Sequence, residues 1–440
     1  YVENEPYALS SFAGMMNCEF FDLSFDEYFE IPIVTIPVVF HFVPDNTGDN
    51  FICNPSGSTI FDAENIVSLM INAANNDVFD SPSVNNSGGT TVPDTRIRMT
   101  LANIQSNTQC NGIWIYNTVD PTILFQSGVV NIVVEDDNNT GVFVIGAATF
   151  GINSSTIFLD NLLHYAQSGS IPSWNFGRAI AHEIGHILNL PHSFSCFNTC
   201  YDFDNAEECD DTPPIEDCDG TWGRWTGICT WGLGNNLMGY NGAQVGLTRC
   251  QWETMLNHLW TDPPTYIDWC SDIQPTLNIT TTKTWDGPKI MNRDVVIKSG
   301  VTLTITCEVR MGVNKKITVE KGGKLIVDGG LLTQHCDDYW QGIEAIGDPT
   351  KTQTAANQAT VELKNNAIIE YANNAITTGT NGVGNQGGGI IYADNTTFRN
   401  NRRAVEFMQY TLSDNLSYFD GCTFELDTDY PQSNYIGLVT

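Results

Sequence analysis

Hydrophobic positions in the first part of the chain fall into two periods. Val34 to Val43 is almost continuously apolar and rich in β-branched and aromatic residues, which predicts a central strand. Asp62 to Asp77 places Ile66, Leu69, Met70 and Ala73 at helical spacing behind an Asp cap, which predicts a helix packed on a sheet. Ile97 to Leu101 and Val129 to Val134 read as further strands, followed by Ile145 to Phe150 and Thr156 to Leu159. With a second helix around residue 182 the pattern predicts an α+β scaffold, a twisted mixed sheet with two helices.

From about Thr282 the pattern changes to short β-rich runs separated by Gly, Asn and Asp, with no helical period. Three weakly similar units superpose: Asn366 to Ile376, Asp394-Asn395-Thr396-Thr397-Phe398 through Ala404-Val405, and Asp420-Gly421-Cys422-Thr423-Phe424. Phe398 falls 29 residues after Ile369, and Phe424 falls 26 after Phe398. That period predicts an all-β domain of right-handed parallel β-helix type, preferred over a β-sandwich. The expected division is an N-terminal extension over 1–30, one domain over 31–272 and a β-helix-like domain over 273–440. The last unit stops at Thr440 without a polar cap, so the natural protein is expected to continue.

Charge narrows the partners. Lys plus Arg total 19 against 51 Asp plus Glu, a formal charge of −32, which argues against nucleic acid and anionic membranes. No segment approaches the roughly 20 apolar residues of a spanning helix, so membrane insertion is not expected. Thirteen cysteines, five of them at 196, 200, 209, 218 and 229, predict a disulfide-stapled loop in a secreted or cell-surface protein. A structural zinc cluster is the weaker reading, because paired Cys-x-x-Cys units are missing. The start at Tyr1 without a signal-peptide pattern is what a processed mature chain would show.

The stretch from His182 to His192 carries the chemistry. His182 and His186 lie one helical turn apart on one face, so both imidazoles can reach one ion. Glu183 can take a proton from a metal-bound water, the general-base role of His-Glu-x-x-His. Asn189 tolerates the left-handed conformation that ends a helix, and Pro191 forbids its continuation. His192 can then return as a third ligand, leaving one coordination position open, as at a catalytic rather than a structural zinc.

Downstream stands Asn235-Asn236-Leu237-Met238-Gly239-Tyr240. Extended zinc motif and Met-turn together resemble the metzincin proteases. Within that clan the chain most resembles the pappalysin-like, or cytophagalysin-type, secreted proteases. The matching segments are Ile36-Pro37-Val38-Val39-Phe40-His41, Asp94-Thr95-Arg96-Ile97-Arg98 and Asp211-Thr212-Pro213, within a resemblance covering about residues 31 to 270. The resemblance implies that Met238 floors the zinc site and that Tyr240 stands beside the metal as a catalytic hydrogen-bond donor. It further implies calcium in the cysteine-rich loop, at Asp210, Asp211 and Thr212. Two positions depart from the family: Asn189 stands where Gly is usual, and Asn241-Gly242-Ala243-Gln244 lacks the acids that favour a basic substrate side chain. Specificity for Arg or Lys is therefore not carried over.

The expectation is a secreted zinc endopeptidase acting on protein or peptide substrates, with Zn2+ and a candidate Ca2+ as cofactors. Ile145 to Phe150 is the candidate edge for an extended substrate. The alternative is an inactive adhesin or binding protein on a protease-like domain. Glu344, Glu362 and Glu370 read as solvated acidic surface rather than paired catalytic carboxylates, and the tail as a spacer or a module for a carbohydrate or surface partner. His41, His164, His258 and His335 lack ligand spacing and receive no role.

Overall fold

A computed structural model of the chain describes residues 31–54, 61–80, 82–83, 92–104, 110–118, 121–135, 147–149, 154–163, 173–191, 209, 211, 235–239, 244–270, 274–336, 338–380, 387–427 and 437–439. Ile33–Trp269 forms one compact unit and Cys270–Thr440, counted with the residues before Ile33, the other. No helix among the described residues is long and apolar enough to cross a membrane.

The first unit is built on a six-stranded mixed sheet. Its strands are β1 (Val34–Phe42), β2 (Ile97–Leu101), β3 (Ile113–Ile115), β4 (Val130–Glu135), β5 (Ala147–Thr149) and β6 (Ser155–Asp160). They lie in the order β2-β1-β4-β6-β5, with β3 also on β1. β1 pairs in parallel with β2, β3 and β4, so it is interior, and its last five residues are all buried. A strand covered on both faces needs this nearly unbroken apolar run. β5 closes one edge, antiparallel to β6. Its Ala147–Thr149 lies inside the expected Ile145 to Phe150 strand, whose remaining residues fall outside the described ones.

Helix α1 (Ala63–Ala74) starts where Asp62 caps it by accepting from the Glu64 N–H. Ile66, Val67, Met70 and Ala74 face inward, whereas Leu69, expected on that stripe, is 42% exposed. The buried face is rotated from the expected one. The helix runs into a π-turn, Asn75–Phe79, and the Asn75 amide grips both the N–H and the C=O of Met99 in β2 at 2.8 Å each. Helix α2 (Ser173–Ile187) packs across α1. Gly177 makes that crossing close: a Cβ there would lie 2.5 Å from the Met70 carbonyl oxygen and 2.7 Å from the Ala73 Cβ.

A third helix, α3 (Arg249–Thr261), corrects the two-helix expectation. Its buried Trp252, Met255, Leu256 and Leu259 recur at helical spacing, and Thr248 and Gln251 form a capping box at its start. The Trp252 indole donates to the Thr95 carbonyl at 2.9 Å, fastening α3 to the segment before β2. His41 is buried as a neutral group: its Nδ1 lies 3.1 Å from the Tyr116 hydroxyl and its Nε2 2.9 Å from Asn131 Oδ1, and burial pushes its pKa down. Its role is structural.

In the second unit every sheet pairing is parallel. The chain visits three sheets in rotation, beginning Leu277–Ile279, Lys283–Trp285, Lys289–Met291, so that each strand pairs with the one three elements later. Sheets of seven, six and six strands result, an arrangement compatible with a parallel β-helix and not with the antiparallel sandwich. Ile369 is in register with Phe398 and Phe398 with Phe424, the two rings stacked 5.0 Å apart. Asn365, Asn366, Asn395 and Gly421, all at positive φ, stand at the turns between the second and third sheets, where Asn366 donates to the Asn395 carbonyl and Asn395 to that of Asp420. Asn and Gly recur there because few other residues accept that conformation.

Glu344, Glu362 and Glu370 lie in strands of three different sheets, so the topology gives no carboxylate pair. Glu370 is not on a solvated surface as expected: it is buried, paired with Arg399 at 2.6 Å and accepting from the Thr333 hydroxyl at 2.8 Å. The Arg399 guanidinium offsets part of the cost of burying that carboxyl, whose pKa burial raises. Between described residues, disulfides join Cys53 to Cys110, Cys209 to Cys250 and Cys270 to Cys336. Cysteines 196, 200, 218 and 229, and His164, lie outside the described residues.

Adding a methyl at Gly177 would press on backbone that cannot move aside. Gly177→Ala should destabilise the first unit by about 1–3 kcal/mol despite the better helix propensity of Ala, read as a lower thermal midpoint. An unchanged midpoint would show that the two helices separate without cost.

Candidate active site

α2 carries His182, Glu183 and His186 into the interior of the first unit. His182 is 4% and Glu183 7% exposed. The two imidazoles, four residues apart, have ring centroids 4.8 Å from each other and planes at 90°. Each ring is held from behind by a backbone carbonyl: His182 Nδ1 is 2.7 Å from the Leu237 oxygen and His186 Nδ1 is 2.6 Å from the Leu190 oxygen. A carbonyl can only accept, so each Nδ1 is the protonated nitrogen. The lone pair of each neutral ring therefore resides on Nε2.

The Leu190 carbonyl reaches His186 because the helix ends abruptly. Asn189 adopts φ 70°, and Leu190 N–H donates back to the Gly185 carbonyl at 2.9 Å while Asn189 N–H donates to His186 at 3.0 Å. These two bonds are the Schellman pattern, which reverses the chain over the last helical turn. A bulky or β-branched residue at Asn189 would resist the positive φ.

The Leu237 carbonyl comes from the turn Asn236–Gly239, closed by Gly239 N–H donating to the Asn236 oxygen at 3.1 Å. Met238, fully buried, lies under α2 at Gly185, where an added Cβ would stand 2.6 Å from the Met238 sulfur. Gly185 is thus a site residue to which pattern reading assigns no role; only the packed turn shows why it lacks a side chain. The Gln244 amide nitrogen, 3.2 Å from His182 Nδ1, donates to the Gly239 carbonyl at 2.6 Å.

Electrostatics match this packing. Burial raises the Glu183 pKa from 4.5 to about 7. It lowers that of His186, against the opposing pull of the Leu190 carbonyl, and so favours the neutral ring. Neutral imidazoles oriented through Nδ1 are the donors a divalent transition ion takes, and the carbonyl partners are the outer shell such ligands use. The rings of His182 and His186 fit such an ion on these grounds.

His192 and Tyr240 lie outside the described residues, as do Asp210 and Thr212 of the candidate calcium loop. Asp211 is placed: its Oδ2 accepts from the Cys250 N–H at 3.3 Å, at the first turn of α3, where a carboxylate meets the positive end of the helix. Cys209, Asp211 and Cys250 gather within 4.8 Å, as do Cys270, His335 and Cys336. In both groups the sulfurs form a disulfide, so neither group offers the thiolates of a structural zinc site.

Among solved structures the chain is similar to mature mirolysin of Tannerella forsythia in complex with a cleaved peptide, at 22% identity and a TM-score of 0.35, over 53% of this chain and 93% of that one. Mirolysin in complex with compound 9 is similar at 21% identity and the same TM-score, over 53% and 94%. No family model and no curated protein matches the chain.

A carboxyl whose folded pKa is raised stabilises the fold at low pH and loses that contribution as pH climbs through the folded value. For Glu183 the window runs from 4.5 to about 7. In chelator-treated protein Glu183→Gln should therefore raise stability at pH 8, by on the order of 3 kcal/mol at most, and change little at pH 4. Equal effects at both pH values would show that the carboxyl is not desolvated.

Proposed function

We propose that this chain is a secreted zinc-dependent endopeptidase of the metzincin, pappalysin-like type. The observation that carries the reading is the pair of imidazoles on one helix face, each committed through Nδ1 to a backbone carbonyl, around a buried carboxyl at Glu183. His182 and His186 are the proposed ligands in place, and His192, just past the reversal at Asn189, is the proposed third. Zinc, when bound there, supplies the Lewis acidity that activates water and polarises a scissile carbonyl.

The residues supply the rest. Glu183 accepts the proton of the attacking water and returns it to the departing amine. Its environment suits both duties, because a group poised near pH 7 gives and takes a proton at little cost there. Met238 and Gly185 hold the floor of the site in close contact, which fixes α2 relative to the turn. Tyr240, two residues beyond Met238, is the proposed donor to the developing oxyanion. The edge strand β5 is the proposed place for an extended peptide, bound by strand addition.

Secretion is supported by the disulfides Cys53–Cys110, Cys209–Cys250 and Cys270–Cys336. The second unit is proposed to be a parallel β-helix serving as a spacer or a module for a carbohydrate or surface partner, supported by its rotation through three parallel sheets.

Glu183→Gln should retain zinc, measured by elemental analysis, while casein cleavage falls about 10²–10⁴-fold. Cleavage by the wild type should stop with a zinc chelator and return on adding zinc. Cleavage by the glutamine variant at the wild-type rate would reject Glu183 as the base.

A further inference from the structure

We propose that Asn236 and Gln251 are positioning residues that set the tautomer and orientation of His182 through a single peptide group, the Leu237–Met238 amide. Its consequence for metal affinity rests on the reading of His182 as a ligand; the tautomer itself does not.

The peptide unit joining Leu237 to Met238 is planar, with its C=O and N–H pointing in opposite directions. Its oxygen lies 2.7 Å from His182 Nδ1. Its N–H donates to Asn236 Oδ1 at 2.9 Å. One rigid plane is thus held at both ends, and a rotation that loosens one bond loosens the other. The Asn236 side chain grips the plane that aims at the imidazole.

Gln251 holds the Asn236 amide in the same orientation that the Met238 N–H demands. The two side chains form a reciprocal pair, Asn236 Nδ2 donating to Gln251 Oε1 at 3.0 Å and Gln251 Nε2 donating to Asn236 Oδ1 at 3.2 Å. Gln251 Oε1 in turn accepts from the Thr248 backbone N–H at 3.1 Å, inside the capping box of α3. A backbone N–H can only donate, so it dictates that Oε1 faces Thr248 and that Nε2 faces Asn236. Asn236 then presents Oδ1 to Met238 N–H and the Leu237 carbonyl faces the ring at 2.7 Å, closer than the Gln244 amide nitrogen at 3.2 Å, so that His182 Nδ1 carries the proton. The polarity of the first turn of α3 is relayed by obligate donors and acceptors to one imidazole nitrogen.

This role explains why two primary amides are buried, Asn236 at 5% and Gln251 at 0% exposure. Buried amides are costly unless paired, and an apolar pair would fill the same space. An apolar side chain could not hold the Met238 N–H. His186 has no counterpart to this chain, since its carbonyl partner Leu190 precedes Pro191, which has no N–H to grip.

The test uses the full-length chain with ¹⁵N-labelled histidine rings, freed of metal at pH 8. Wild type should show His182 as the Nδ1–H tautomer. In Asn236→Leu, which removes the grip, and in Gln251→Met, which removes only its orienting partner, His182 should shift toward the Nε2–H form while His186 keeps Nδ1–H. Zinc affinity by competition with a chromophoric chelator should fall about 10–100-fold in Asn236→Leu and less in Gln251→Met. If His182 keeps its tautomer in the folded variants, the inference is overturned; should Asn236→Leu fail to fold, Gln251→Met decides. A tautomer shift in a protein whose wild type binds no zinc would uphold the inference and sink the ligand reading instead.

Discussion

The candidate site depends on carbonyl oxygens more than on any side chain. An isolated imidazole offers either nitrogen to a ligand and rotates about two bonds. At His182 and His186 a backbone oxygen removes that freedom by demanding a proton from Nδ1. The oxygens come from two unrelated turns, one made by positive φ at Asn189 and the other by the Asn236–Gly239 segment. Placing those carbonyls, with the ligand helix between them, is what the surrounding fold achieves.

Close contact limits how far this placement can vary. Gly177 lets α2 approach the backbone of α1, and Gly185 lets the Met238 sulfur approach α2 from the site side. Between them the helix has little room to shift. Burial that follows from this packing also holds the Glu183 carboxyl out of water and raises its affinity for a proton. Packing and proton chemistry at the site therefore have one cause, and a site of this kind lowers stability near neutral pH in return for a carboxyl that can exchange protons there.

The second unit solves a different problem. Short parallel strands with alternating inward side chains add to three sheets in turn, so that Ile369, Phe398 and Phe424 stand in register in one sheet and the turn residues Asn366 and Asn395 hydrogen-bond to the next turn. The buried Glu370 carboxyl is met there by the Arg399 guanidinium.

Local chemistry was legible in the chain by itself. The spacing of His182, Glu183 and His186 follows from the helical period; the left-handed turn at Asn189 follows from its side chain and Pro191; the interior strand β1 follows from its unbroken apolar run; and the Ile369–Phe398–Phe424 repeat follows from the similar intervals of 29 and 26 residues. All of these are determined by neighbours in sequence. Helix α3 went unread, although a capping box and an apolar stripe mark it, because the stripe is short and mixed with polar residues. Tertiary structure alone decided that Leu69 faces solvent, that Glu370 is buried against Arg399, and that the Leu237 oxygen meets an imidazole 55 residues away. Those outcomes depend on which surfaces and which backbone groups meet across the fold, and no local pattern encodes a hydrogen bond whose two ends are brought together only by packing.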